Sequence, residues 1–352
     1  MESTRKTGVA SDRKAAKIDR RVSVAPMMDW TDRHCRFFLR GFSADVLLYT
    51  EMITAAAIVR GQRARLLSFD PEEHPVALQL GGSEPRELAA AARAGEEAGY
   101  DEINLNCGCP SERVASGAFG ACLMREPGLV ADCIAAMRAA VRVPVTVKIR
   151  IGVVSAGARG ARGAVAEYGE ADFEALCGFV AGVRAAGCQV VIVHARQAVL
   201  GGLSPRDNRA VPPLRHDVVR KLKRAFPSLP IVVNGGLRDA DSVRAALEWC
   251  DGVMLGREAY HRPLVLAELQ RLLAPQGAAP PSRAALIERM ARYCERELAA
   301  GERLSAITRH MLGLYSGEPG ARDFRRTLSE GALVAGAGAE LLRRAIPTAV
   351  RD

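Results

Sequence analysis

The chain has 352 residues, 49% hydrophobic and 25% charged, an ordinary globular composition whose length suits two domains or one barrel with an addition. No apolar run is long enough to span a bilayer, and the polar, basic start at residues 1–21 lacks an apolar signal core. These features set aside a membrane span and secretion and point to a cytoplasmic protein with a disordered basic tail, while the formal charge of +9 weakly favours a polyanionic partner.

After the tail, eight short runs rich in Val, Ile and Leu recur at residues 22–26, 46–50, 76–80, 102–106, 145–149, 190–194, 231–234 and 252–255. They show little alternation, as expected of parallel strands buried on both faces. Amphipathic segments rich in Ala, Arg and Glu separate them, with Thr31, Ser83 and the pair Asp239/Asp241 as candidate helix caps. Eight such alternations in about 250 residues match a (β/α)8 TIM barrel, although alternation alone also allows a doubly wound sheet. Residues 152–170 are Gly/Ala-rich without a period and read as a flexible loop; residues 274–282 (APQGAAPPS) read as a linker. Beyond the linker the pattern is helical only: Ser282 can cap a helix carrying Leu286, Met290, Tyr293 and Cys294, and further helices are expected near 304–315, 321–328 and 339–346. The expected division is a tail at 1–21, a barrel at 22–273, the linker, and an all-helical C-terminal domain at 283–352.

Polar residues or glycines follow nearly every strand, and in a barrel all of them fall on the C-terminal rim, where active sites sit. At the end of the fourth strand stands Asn104-Leu-Asn106-Cys107-Gly-Cys109-Pro-Ser111. A thiol there is mostly protonated at neutral pH and suits a general acid, or the two cysteines are small loop residues. Separated by one residue, they point differently, so at most one is catalytic. Of the nine cysteines, none forming a C-x-x-C pair, the other seven read as reduced core residues. Asn234-Gly235-Gly236 and Gly256-Arg257 end the seventh and eighth strands, the usual barrel phosphate site. Lys148 ends the fifth strand; it is either a snorkelling surface lysine or a cation beside an electron-accepting ring. His194, ending the sixth, is structural or functional with equal force. No G-x-G-x-x-G, P-loop, H-E-x-x-H, G-x-S-x-G or zinc spacing occurs. In the last third, Arg309, Arg322, Arg325 and Arg326 either contact phosphates or form a solvated face paired to Glu318 and Asp323.

Together these stretches resemble the tRNA-dihydrouridine synthases of the bacterial A type. The matching segments are SVAPMMDWTDRHCRFFLR (23–40), LYTEMITA (48–55), HPVALQLGG (74–82), EINLNCGCPSERVASGAFGACLM (102–124) and VTVKIRIG (145–152). They continue with HARQAVLGGLSPRDNR (194–209), VNGG (233–236), DGVMLGREAY (251–260) and ITRHMLGLYSGEPGARDFRR (307–326). The resemblance implies an FMN-bearing barrel, a helical tRNA-binding domain, and NADPH-driven reduction of adjacent D-loop uridines, positions 20 and 20a. It further implies that Pro26, Met27 and Met28 line the flavin, that Gln79 hydrogen-bonds its ring, and that Lys148 and His194 sit beside it. Asn234, Gly235, Gly236, Gly256 and Arg257 would hold its phosphate, Cys109 would donate the proton, and Asn106, Arg206, Arg209, Arg322 and Arg325 would meet the tRNA. A monomer without a metal is expected, with tRNA and NADPH as partners. Two departures stand out: Cys107, a redox liability beside Cys109, and a long 152–170 loop carrying Arg159 and Arg162. The other readings are an FMN barrel reductase for a free small molecule such as a pyrimidine, which leaves the C-terminal arginines unexplained, and a non-enzymatic RNA-binding protein.

Overall fold

The structure, a computed structural model, describes residues 18–111, 119–155, 167–201, 203–277, 279 and 281–347. The expected strands form as β1 (Val22–Val24), β2 (Leu47–Thr54), β3 (Val76–Gly81), β4 (Glu102–Cys107), β5 (Val145–Arg150), β7 (Val191–His194), β9 (Ile231–Asn234) and β10 (Gly252–Leu255). Every pairing among these eight is parallel, and β10 closes back on β1 to complete the barrel. Sequence alternation did not indicate β6 (Val153–Ser155) and β8 (Ala198–Leu200), which pair as a small parallel sheet beyond the ends of β5 and β7. Three residues are too few to carry a period, and β6 lies inside the segment expected to be a loop. Residues 156–166 of that loop, with Arg159 and Arg162, lie outside the described residues.

Because side chains alternate along a strand, each barrel strand feeds two cores. Val22, Val24, Leu78, Ile103, Leu105, Val147, Val193 and Val233 point outward, into the layer filled by the helices Pro85–Ala98, Pro127–Ala140, Glu170–Ala185 and His216–Ala225. The inward residues divide the barrel in two. Ala25, Leu47, Tyr49, Ala77, Val190, Ile192, Val232 and Met254 form a compact apolar cluster. Apart from Ala77, β3, β4 and β5 contribute a polar set instead: Gln79, Glu102, Asn104 and Thr146, each at most 1% exposed.

Local signals place two caps one residue later than expected. Asp32, not Thr31, caps the helix Arg33–Arg40, accepting from the Cys35 amide; the Thr31 hydroxyl instead binds back to Met27. Glu84, not Ser83, accepts from the Glu87 amide before Pro85. Asp239 and Ser282 cap as expected. Arg20 and Arg21, grouped with the tail by composition, are held against the barrel by Glu102 and by the Leu273 carbonyl; residues 1–17 lie outside the described residues.

After residue 281 every described element is a helix: Arg283–Ala299, Leu304–Thr308, Ala321–Gly331 and Glu340–Ala345. They share one continuous apolar core with the barrel's helical layer. Phe37 stacks on Tyr293 at 4.0 Å, and the Arg289 guanidinium lies 3.8 Å from the centroid of the Phe37 ring. Nearer the barrel mouth, Asp32 accepts from Arg309 (2.7 Å) and from His310 (3.0 Å), and Tyr260 joins His310 to Trp30 by stacking on the indole at 4.4 Å. Burial alone would raise the Asp32 carboxyl, but His310 and Arg309 hold it well below the usual carboxylate range.

Candidate active site

The C-terminal ends of the barrel strands converge as expected. Lys148 projects inward from β5, partly buried, and its ammonium donates to Asn234 Oδ1 at 3.1 Å. Asn234 in turn donates to the Met254 carbonyl at 2.7 Å, so its orientation is fixed before any ligand arrives. Burial, reinforced by the adjacent Arg150, lowers the Lys148 ammonium to about 7. The bond to Asn234 turns the ammonium into the barrel mouth and not along the outer surface, which argues against the snorkelling reading. His194 faces the same space from β7. Burial, then Arg150 and Lys148, push it well below its ordinary value, so it is a neutral imidazole at physiological pH.

Glycine is required next to that ring. Gly235 has φ 111°, and a Cβ there would lie 2.8 Å from the His194 ring; Gly236 has φ 78°, and a Cβ would lie 2.4 Å from Leu214. His216 Nε2 meets the Gly235 carbonyl at 2.7 Å and braces the turn. Arg257 opens the short helix Arg257–His261 directly after Gly256 and is exposed. Burial, then the charge of Arg257, depresses both Arg196 and Arg209, so the three guanidinium groups lie within one positive field. Arg206 adds to the field at Arg209. Among the described residues none of these four arginines has a carboxylate partner. A cationic cluster without acids beside a glycine cradle fits a phosphate group.

The thiols separate clearly. Cys107 is the outward residue of β4, fully buried beside Cys133 and Cys188, and burial pushes its thiol well above its ordinary value. It therefore faces the helical layer, not Cys109, and the suspected redox liability has no geometric basis. Cys109 stands in the loop at the mouth, partly exposed, with its sulfur 3.5 Å from Ser111 Oγ. Asn106, expected at the tRNA, is only 9% exposed and is committed to the protein: its Oδ1 accepts from the Gly108 and Cys109 amides, each at 3.0 Å. Gln79 is 1% exposed and lies just beneath it. Pro26 and Met27 are partly buried and Met28 is 55% exposed at the rim.

Sequence reasoning placed Arg150 among the rim residues after the strands but gave it no role. Its guanidinium is 3% exposed and donates to the carbonyls of Gly108, Gln197 and Asn208, tying the Cys109 loop to the loop that carries Arg206 and Arg209. The available signal was alternation: Thr146, Lys148 and Arg150 share one face of β5. Asn208, also missed, binds Val199 through both its amide and its carbonyl and turns its neighbours Arg206 and Arg209 outward.

On the C-terminal helix Ala321–Gly331, Arg322 and Arg325 are exposed and have no ion pair among the described residues. The acids expected to pair with them are taken: Glu318 by Arg283 and Asp323 by Arg326. Arg309 is likewise committed to Asp32.

The pattern that defines the dihydrouridine synthase (Dus) family matches residues 23–351. The chain belongs to the dihydrouridine synthase family. It is 54% identical to the tRNA-dihydrouridine(20/20a) synthase of Pseudomonas aeruginosa over 314 residues, 89% of this chain and 90% of that one. It is 52% identical to the enzyme of the same name from Xanthomonas axonopodis pv. citri, with 96% of each chain covered, and to that of Synechocystis sp., with 92% and 93% covered. A solved 2-naphthoyl-CoA reductase complex shares the fold, at TM-score 0.53 and 11% identity, over 72% of this chain and 51% of that one. Dihydrouridine synthases are flavin-dependent oxidoreductases that reduce uridine in tRNA, and that is the activity of this chain. No helix among the described residues is long and apolar enough to cross a membrane.

Proposed function

We propose that this chain reduces the adjacent D-loop uridines 20 and 20a of tRNA with NADPH, through FMN held without a covalent link in the barrel mouth. The reading is supported by the rim residues taken together: Gly235 lies against His194, Lys148 is bonded to Asn234, and Cys109 is near enough to act on the charges of Lys148 and Arg209. Arg196 and Arg257 would hold the phosphate with the amides of Gly235 and Gly236. Lys148 and His194 would face the ring, with Pro26, Met27 and Met28 along its edge, while Gln79, its amide committed to Asn106 and Asn104, would act from beneath and not bond the ring directly. When bound and reduced by NADPH, FMN supplies the hydride that reaches carbon 6 of the uracil.

The protein's own part is position and protonation. A uridine must leave its stack to reach Cys109, because the thiol sits at the mouth of a barrel and not on a raised surface. Cys109 Sγ then holds the proton that carbon 5 takes, so that one hydride and one proton add across the carbon 5–carbon 6 double bond. Asn106 fixes the backbone under that sulfur, and Arg150 fixes the loop to its neighbour. Arg206, Arg209, Arg322 and Arg325 would meet backbone phosphates, and the helical segment 283–352 would form the tRNA-binding domain of a cytoplasmic, monomeric enzyme.

The test is direct. The purified protein should show a flavin absorption spectrum, and tRNA from a deletion strain should lose dihydrouridine at positions 20 and 20a when mapped by mass spectrometry. A colourless protein, or reduction of free uridine in place of tRNA, would overturn the proposal.

A further inference from the structure

We propose that Glu102, at the closed end of the barrel, is a positioning residue for Cys109, acting through a hydrogen-bonded chain of fixed polarity inside β3, β4 and β5. The proposal rests on the reading of Cys109 as the proton donor. The chain begins at the mouth, where the amides of Gly108 and Cys109 both donate to Asn106 Oδ1 at 3.0 Å. Asn106 Nδ2 donates to Gln79 Oε1 at 2.8 Å, and Gln79 Nε2 to Asn104 Oδ1 at 2.7 Å. Asn104 Nδ2 donates to the Thr146 hydroxyl at 2.8 Å, and that hydroxyl donates to Glu102 Oε1 at 2.6 Å. Strand register makes the chain possible: Gln79 is level with Asn104, and Asn104 with Thr146.

Three carboxamides in a row have two self-consistent orientations, because each presents an oxygen on one side and an NH2 on the other. The two ends remove that freedom. Backbone amides at the mouth can only donate, so Asn106 must turn its oxygen to them and its NH2 toward Gln79. A carboxylate at the base can only accept, so Thr146 must give its proton downward and accept from Asn104. The Arg20 guanidinium pairs with the other oxygen of Glu102 at 2.6 Å, and the Tyr49 hydroxyl donates to Oε1 at 2.5 Å, so every donor at the base points at the carboxylate. Both ends demand the same direction. The four links from Asn106 down to Glu102 are buried, so no water can substitute for a reversed one there, and a buried polar chain of this kind is stable only when every member is satisfied.

In Glu102→Gln, Arg20 takes the carboxamide oxygen and turns the new NH2 toward Thr146. A donor then stands where the chain needs an acceptor, the Thr146 proton loses its partner, and the orientation of Asn106 is defended from one end only. The Cys109 loop should loosen although the change lies at the opposite end of the barrel. Thr146→Val removes the same link without altering size, and Thr146→Ser retains it.

The test is hydrogen–deuterium exchange of the holoenzyme, read by mass spectrometry on the peptide containing Gly108 and Cys109, beside single-turnover reoxidation of the reduced enzyme by tRNA. In the wild type these amides should be protected. In Glu102→Gln and Thr146→Val they should exchange about tenfold faster, with β5 unchanged and reoxidation slowed by a similar factor, while Thr146→Ser stays close to wild type. Unprotected amides in the wild type overturn the proposal without any variant. Unchanged exchange in either folded variant also overturns it, as does Thr146→Ser behaving like Thr146→Val. If the wild type itself fails to reduce uridine in tRNA, the functional reading falls, and the exchange comparison still decides the positioning role.

Discussion

Lys148→Met tests whether the lysine at the barrel mouth is kept at the expense of the fold. Burial and Arg150 lower the ammonium from an ordinary value of 10.5 to about 7. At 1.36 kcal/mol per pH unit this corresponds to at most about 5 kcal/mol of destabilisation whenever the lysine is charged in both states. Below pH 7 the penalty is fully present. Between pH 7 and 10.5 the unfolded chain binds more protons than the folded one, so stability rises with pH through that window. Methionine carries no charge and has no such dependence, but it leaves Asn234 Oδ1 without its donor, a loss of about 1–3 kcal/mol. Flavin-free Lys148→Met should therefore be more stable than flavin-free wild type by about 2–4 kcal/mol at pH 6, and less stable by about 0–2 kcal/mol near pH 10, where about 1 kcal/mol of the penalty still remains. Urea unfolding of both proteins from pH 6 to 10 measures this. A difference that does not change with pH, or a variant already less stable at pH 6, would refute the reasoning. Uridine reduction should be lost at every pH.

Arg257→Ala should release flavin on dilution while its melting temperature stays near that of wild type, since the guanidinium is exposed and has no acid partner among the described residues; full retention of flavin would count against the phosphate site. Cys109→Ala should accept electrons from NADPH but fail to reduce tRNA, whereas Cys107→Ala, a small cavity in the helical layer, should retain activity with about 1 kcal/mol less stability; the reverse assignment would show that the wrong thiol was chosen. The Arg322→Ala, Arg325→Ala pair should bind tRNA more weakly, with a salt slope reduced by about one per lost contact and no change in melting temperature. Titrations at two salt concentrations, beside a melting curve, check it.

The barrel was legible because its strands are runs of Val and Ile bounded by glycine and polar residues, a signal carried within each segment. Lys148, His194, Gly235 and Cys109 were legible for a related reason: position at a strand end already implies the rim. The role of Arg150 was not, because it consists of three carbonyls on two other loops, and nothing in the order of residues brings these together. The same holds for the polar half of the barrel. Glu102, Asn104 and Asn106 alternate visibly in one strand, but their partners Gln79 and Thr146 belong to the strands on either side. The competition between Thr31 and Asp32 as cap was decided by a bond back to Met27, a contact with the barrel mouth that propensity does not contain.

The two-sided barrel interior also sets how the sequence can drift. On the apolar side, a change of shape in Ile192 or Val232 can be absorbed by a compensating change in a neighbour, because packing asks only for volume and dryness. On the side of Gln79, Asn104 and Thr146, one substitution strands a partner above and a partner below, and no single second change restores both. A library randomised around the full circumference and selected for folding should therefore return variable residues on β7, β9 and β10, and nearly invariant ones on β3, β4 and β5. Half of the wall is free to wander, and the half beneath the reactive thiol is held still.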